Sequence, residues 1–166
     1  MDHALAPGAI DLGEIDLGAL LRDPIKALKD RVLQMAGFSN AIENKILDAV
    51  FGGTAFGGVT PLKLSLTTVA VTDTDDSTTI TKATYTGYAD INVANTDWNA
   101  ASSGTKTNSS TLTFGACTAG SSTVIGFAVY NNSTHEIHMY GTVSSASVSS
   151  GITPSFGAGA LSTSLD

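Results

Sequence analysis

The chain has 166 residues, of which 42% are hydrophobic and 14% charged, and its formal net charge is -7. This length suits one domain with an appendage. The negative charge disfavours nucleic acid and anionic membranes as partners, because both are bound mainly through Lys and Arg. Cys117 is the single cysteine, which excludes a disulfide within the chain and an all-cysteine metal site.

The composition changes near residue 50. Residues 1–50 contain no Thr, Tyr or Trp, whereas the remainder contains 22 Thr and 17 Ser. The first residues lack the basic start and apolar core of a secretory signal, and no apolar run approaches the roughly 20 residues of a membrane span. We therefore expect a protein made in a cytoplasm, with a β-rich body and a leader of different character.

Residues 1–22 contain the quasi-repeat "IDLGE" and "IDLGA". A period of five fits neither a helix nor a strand, and repeated glycines weaken a helix, which favours an extended arm. A loose terminus without a role is the alternative. The arm carries apolar residues that predict a covering partner: Ile10, Leu12, Ile15, Leu17, Leu20 and Leu21.

Residues 23–51 are predicted to form a helical anchor. Asp23 and Pro24 suit the start of a first helix, and Gly37 suits a left-handed residue at its end. Its apolar stripe is Ile25, Leu28, Val32 and Met35.

A second short helix is predicted to follow directly. Asn40 and Glu43 have the spacing of a capping box. One apolar face is predicted to consist of Ile42, Ile46, Ala49 and Val50, up to the glycines at 52 and 53.

Residues 52–60 form a glycine-rich hinge. Gly53 and Gly58 have the separation found in a phosphate-binding loop, but Val59 and Thr60 replace the Lys and Ser/Thr that should follow. The segment is therefore interpreted as a connection between helix and sheet, and no nucleotide or other cofactor is expected.

Residues 61–166 show the alternation of β-strands and frequent turn residues. This pattern predicts a mainly β fold, an antiparallel, jelly-roll-like β-sandwich. The run at 62–67 predicts a strand with one wet face, and 122–130 is apolar on both sides, as in a central strand. The other predicted strands lie within 87–94, 110–116, 136–143 and 159–166, and 144–151 is predicted to be a turn region.

Three sequence patterns could indicate a metal-binding, catalytic or sugar-binding site, and each has a simpler structural explanation. "TDTDDS" at 72–77 lacks the Gly and Glu of a calcium loop, which favours a turn with solvated Asp residues. "HEIH" at 135–138 is one residue too short for a zinc-protease motif, which favours surface histidines at a hairpin. Trp98, Tyr85 and Tyr88 could form a sugar platform, but core or rim packing is favoured. No catalytic or metal-binding residue is predicted.

The segments after residue 40 resemble a family of small tailed-bacteriophage virion proteins of the head-decoration and tail-fibre-like type. The resemblance lies in "NAIENKILDAVFGGTAF", "LKLSLTTVAVTDTD", "YTGYADINV", "VIGFAVYN", "HMYGTVSSASVSSG" and "FGAGALSTSLD". It implies a non-enzymatic, β-rich protein assembled on a virion, and it supplies no catalytic residues.

The resemblance and the leader together lead to one functional expectation. We expect a capsid decoration protein that docks on the major capsid protein through the apolar residues of arm and first helix, and that also contacts copies of itself. The alternative is a tail-fibre or tail-tip component that touches the host surface, with Trp98 or Tyr88 exposed in a groove. A virion glycosidase is a third hypothesis.

Overall fold

The computed structural model describes residues 37–56 and 61–165. All of them belong to one compact unit, Gln34–Asp166. Within the described ranges the elements follow in this order: β1 Gly37–Phe38, α1 Asn40–Phe51, β2 Leu62–Thr67, β3 Ile91–Val93, a 3-10 helix Asn95–Asp97, β4 Thr105–Thr107, β5 Leu112–Thr113, β6 Ser121–Asn131, β7 Ile137–Ser149, β8 Ser155–Phe156 and β9 Ser162–Ser164.

The main sheet has five antiparallel strands in the order β1-β7-β6-β2-β3. The apolar strand β6 lies at its centre, as its sequence predicts, because side chains on both of its faces are covered. Two further pairs, β4 with β9 and β5 with β8, form small sheets. Phe156 of β8 packs on Phe127 of β6, with ring centroids 5.4 Å apart, so the small sheets form a second layer. The expected mainly β, β-sandwich-like fold is confirmed.

The core lies between the main sheet and this second layer. Leu64 pairs with Val129 and Leu66 with Phe127, so their side chains share one face of the sheet. The buried core members on and around this face include Leu62, Leu64, Leu66, Val93, Leu112, Phe114, Phe127, Val129, Met139 and Leu161.

The prediction that β2 has one wet face is wrong. Ser65 and Thr67 are fully buried. The segment after β2 returns over this second face, where Val71 and Ile80 pack on a smaller cluster around Tyr130. The sandwich is therefore covered on both faces of its central strands.

The long hairpin β6–β7 departs from the predicted boundaries. β7 runs to Ser149, so most of the predicted turn region 144–151 is strand. The register shifts twice, between Val124 and Gly126 and between Val129 and Tyr130. Such bulges change which face the following side chains occupy. As a result Ile137 joins the smaller cluster, whereas Met139, two residues further on, belongs to the main core.

The predicted second helix is observed as α1 and ends directly before Gly52, as predicted, but its N-terminal capping differs from the prediction. Ser39 is the N-cap residue, and its hydroxyl donates a hydrogen bond to the carbonyl of Ile137 instead of capping the helix. The predicted capping box of Asn40 and Glu43 is therefore wrong. Gly37 does not have a left-handed backbone; it pairs with Tyr140 at the sheet edge.

The predicted helical segment 23–51 thus contains a short edge strand directly before α1. The arm, the first helix and part of the hinge lie outside the described residues.

Candidate functional site

An apolar groove lies between α1 and the main sheet. Its volume is about 330 Å³, and its walls are mainly hydrophobic. Helix α1 contributes Ile42 and Ile46, and β1 contributes Phe38. The rest of the apolar lining includes Phe56, Trp98 and Met139. Helix α1 contacts the sheet edge through only part of one face, where Ile42 is its buried residue. The groove lies where the rest of this face does not meet the sheet.

A few polar side chains line the same groove: Asn95, Lys106, His138 and Thr163. The Lys106 ammonium donates to the carbonyl of Asn99 at 2.9 Å. The Thr163 hydroxyl oxygen is buried and has no hydrogen-bond partner among the described residues. Burial lowers the pKa of His138, although the nearby Glu136 carboxylate opposes this shift. The groove therefore suits an apolar group with few polar atoms.

The bulge in β7 brings His138 to this groove. Val129 pairs with Met139 and Tyr130 pairs with Ile137, so His138 has no partner across the ladder. The prediction of a surface histidine is wrong for His138, which is half-buried. The alternation of Ile137 and Met139 on either side of His138 gives no sign of this bulge.

His135 lies in a different environment from His138. It is exposed and has a positive φ of 66° in the turn before β7, as predicted for a hairpin histidine. Its Nδ1 lies 2.9 Å from the hydroxyl oxygen of Ser77. The two histidines of the "HEIH" motif therefore serve separate contacts and do not face one another.

An ion pair fixes α1 to the hairpin beside the groove. Lys45 Nζ lies 2.5 Å from a carboxylate oxygen of Glu136, which also accepts a hydrogen bond from the Thr134 hydroxyl at 2.8 Å. The hydrogen bond from Lys45 lowers the pKa of Glu136, and burial opposes it. The pair is partly exposed, so it positions the helix more than it stabilises the fold.

The three aromatic residues considered for sugar binding take packing roles. Tyr85 is buried, and its hydroxyl donates to the carbonyl of Gly115 at 3.1 Å. Tyr88 stacks on Phe114 with 6.1 Å between ring centroids. Trp98 packs against the core and lines the groove. Packing in the core and at its rim is thus confirmed for these residues. Trp98 also lines a groove, as the tail-fibre alternative expects.

The aspartates at 72–77 organise a turn. Asp75 accepts a hydrogen bond from the backbone N–H of Thr72 at 2.7 Å, and Asp76 accepts one from Thr78 at 2.7 Å. The hydrogen bonds from Thr72 lower the pKa of Asp75, and those from Thr78 lower the pKa of Asp76. Within residues 37–56 and 61–165, no group of three or more His, Cys, Asp or Glu has the arrangement of a metal site.

The ten residues predicted to contact a partner all precede residue 37. Ile10, Leu12, Ile15, Leu17, Leu20, Leu21, Ile25, Leu28, Val32 and Met35 lie outside the described residues, so their role stays a prediction. The described helix is too short and too polar to cross a bilayer.

Comparison with known proteins gives one family. The model of the family described as "Podophage GP4 fiber I protein gp80" matches residues 37–164. No curated protein matches the chain. The matched range begins at β1 and ends in β9, so it spans the sheets, α1 and the groove. The chain belongs to the podophage GP4 fiber I protein family of phage virion proteins.

Proposed function

We propose that this chain is a structural subunit of a virion fibre. The observation that carries the proposal is the family match, which covers every strand of the described unit. The fold supports a structural role, because polar contacts such as the ion pair of Lys45 and Glu136 connect elements of the fold to one another. The groove beside α1 is apolar and suits packing against protein better than it suits catalysis.

The position of this chain on the particle distinguishes a fibre protein from a capsid-shell protein. A short epitope can be inserted at the exposed turn of Ser103 and Gly104, where both residues have positive φ. A second insertion at the exposed Gly151 turn provides an independent position. We expect antibody labels to mark a few projecting sites in electron micrographs of purified particles. Labels spread evenly over the head, with many copies per particle, would contradict the proposal and support the decoration hypothesis.

The leader is proposed to attach the subunit to the particle. Its apolar side chains need a covering surface, and an extended arm can add to a strand edge of another protein through main-chain hydrogen bonds. The truncation should end at residue 36, because β1 begins at Gly37 and pairs with β7. A chain that lacks residues 1–36 keeps β1 and should fold.

We expect this truncated chain to be absent from purified particles when it is produced in place of the full chain. Its far-ultraviolet circular dichroism and cooperative unfolding serve as the control for folding. Incorporation at the level of the full chain would show that the leader does not attach the subunit.

A further inference from the structure

Strand β7 has an open edge over the second half of its length. β1 pairs with it only at Met139 and Tyr140. Among the residues that the structure describes, no strand or bridge pairs with 141–149 on the side away from β6. The carbonyl of Ser149 accepts the N–H of Ile152 at the end of the strand. Alternate N–H and C=O groups of an edge strand point away from its neighbour, so this edge presents main-chain donors and acceptors to solvent.

This edge lacks most of the features that keep natural sheet edges from pairing, which are charged side chains, proline and bulges. Residues 141–149 contain no charged residue and no proline. One bulge is present, because 143–145 lie opposite Ile125 alone, but beyond it 146–149 pair regularly with 121–124. The end of β7 therefore offers four residues of regular backbone to another strand.

An apolar groove opens beside this edge. It lies between the end of β7 and β8, has a volume of about 240 Å³ and is lined mainly by apolar side chains. Val124, Val148 and Phe156 connect it to the core, and the exposed Ile152 also lines it. The groove is therefore a gap between the two layers of the sandwich, on the same side as the open edge.

We propose that the end of β7 accepts an extended segment of another virion protein as an added strand of the main sheet. Segments that add to a sheet edge gain affinity from main-chain hydrogen bonds and specificity from pockets for alternate side chains. Ala146 and Val148 lie on one face of β7, and both line the groove. Every second side chain of an added strand points to the same face and therefore enters the groove.

The chemistry of the edge and the groove defines this segment. No charged residue lines the groove, so the entering side chains are aliphatic. The groove is smaller than the roughly 300–1,000 Å³ of small-molecule pockets, which favours one or two side chains as its occupants. The choice of a virion protein as the source of the segment rests on the proposed function, whereas the binding of an extended aliphatic segment does not.

Other occupants explain these features less well. The exposed side chains of 144–149 are all Ser or Ala, so the β7 edge of a second copy would bring no large apolar side chain into the groove. A small apolar molecule in the groove would leave the main-chain groups of the edge in water. An added strand with aliphatic side chains satisfies both the edge and the groove.

A synthetic peptide tests this binding without the particle. The probe has three threonines and two valines in alternation between terminal lysines, and the control peptide is the same sequence methylated on every backbone nitrogen. In nuclear magnetic resonance spectra of the full chain, we expect the probe to shift the amide signals of 146–149. The methylated peptide should leave them unchanged, because it cannot donate main-chain hydrogen bonds. Absence of binding by the probe, or equal binding of both peptides, would overturn the proposal.

A charged side chain at the edge should block the probe. We expect Ala146→Lys to raise the dissociation constant of the probe about tenfold, because Ala146 is exposed and lines the groove. Ala100→Lys is the matched control, since Ala100 is also exposed but does not line the groove. Equal affinities of the two variants would place the binding site elsewhere and contradict the proposal.

Cross-linking in purified particles identifies the source of the segment. Cys117 is the only native cysteine and is buried, so a photoactivatable maleimide can be attached selectively to Ser147→Cys at the edge. Ser103→Cys, at an exposed turn, is the control. We expect the edge variant alone to cross-link to one segment of another virion protein, identified by mass spectrometry. Cross-links only between copies of this chain, or equal products from both variants, would overturn the proposal. Epitope labels on the head would contradict the fibre assignment and leave this result unaffected.

Discussion

Lys82 and Asp90 form an ion pair at the sheet, with 2.7 Å between the ammonium nitrogen and a carboxylate oxygen. The same carboxylate accepts hydrogen bonds from Tyr130 at 2.7 Å and from Tyr88 at 2.6 Å. The ammonium also lies 4.5 Å from the centre of the Tyr130 ring. Asp90 is thus the common partner that ties the returning segment 68–90 to strand β6.

We expect Asp90→Asn to lower the free energy of unfolding by about 2 kcal/mol, because it leaves a partly buried ammonium and two hydroxyls with poorer partners. Urea unfolding measures the change. Asp48→Asn is the control, because Asp48 is exposed on α1 and its loss should change the free energy by less than about 0.5 kcal/mol. Equal effects of the two substitutions would show that Asp90 is not the common partner.

Acid should destabilise the fold through Asp90 and Glu136. Burial raises the pKa of Asp90, but the hydrogen bonds from Lys82, Tyr88 and Tyr130 outweigh it, so the pKa falls below its ordinary value of 3.8. The pKa of Glu136 also lies below its ordinary value of 4.5, through its hydrogen bond with Lys45. The folded state therefore binds fewer protons than the unfolded chain at acid pH. Stability is fully present above these ordinary values and is lost as the pH falls through the folded values.

Urea unfolding at a series of pH values between 3 and 7 measures this loss. The combined variant Asp90→Asn and Glu136→Gln should be less stable at neutral pH and should lose less stability on acidification than the native chain. An identical acid slope in both chains would contradict the assignment to these two carboxylates.

The regular parts of this fold follow from local pattern, and the exceptions arise from distant contacts. The alternation of leucines predicts β2, and the unbroken apolar run predicts the central position of β6. The bulge at His138 could not be predicted, because the inserted residue depends on the register with β6. The burial of both faces of β2 depends on a segment that returns over it, which composition alone does not reveal.

In the candidate site, too, some features follow from local sequence pattern and others depend on distant contacts. Spacing predicts a helix over α1 and an inward Ile42, but it cannot tell which part of a broad apolar surface meets the sheet. The prediction that Val50 faces inward with Ile42 is therefore wrong, because Val50 is 66% exposed. Trp98 stood out by residue type, whereas Lys106 and Thr163 reach the groove only through the pairing of β4 with β9.

Asn108 is a polar residue that directly follows β4. It is fully buried, and its amide group donates to the carbonyls of Ser110 at 2.7 Å and Gly157 at 2.8 Å. Its side-chain oxygen accepts the N–H of Leu161 at 2.9 Å. Asn108→Ala should lower the free energy of unfolding by about 3 kcal/mol, because one buried and two partly buried backbone groups lose their partner.

Thermal and urea unfolding measure this effect. Asn92→Ala, at an exposed position in β3, should change the stability by less than about 0.5 kcal/mol. If the two alanine variants unfold alike, the hydrogen bonds of Asn108 do not stabilise the fold as proposed.

Gly87 and Gly115 lie where two backbone segments approach closely. A Cβ atom on Gly115 would lie 2.1 Å from the carbonyl oxygen of Gly87, which is backbone and cannot easily move. Gly115→Ala should therefore destabilise the fold by about 3 kcal/mol or prevent folding. Gly157→Ala is the matched control, since nothing lies within 4 Å of the added carbon and its φ is not positive. Similar melting temperatures for both variants would show that the two segments can separate at little cost.

His138 should titrate below its ordinary pKa of 6.5 in the folded chain. Burial in the groove lowers the pKa, Lys45 lowers it further, and Glu136 raises it. Because the unfolded chain binds the proton more readily, stability should fall as the pH drops from about 7 toward the folded pKa. Nuclear magnetic resonance of the imidazole signals measures the pKa, and His138→Gln identifies the signal among those of His3 and His135. The variant should lose this part of the pH dependence; a measured pKa at or above 6.5 would mean that solvent reaches the ring and that the groove wall at β7 is more open than described.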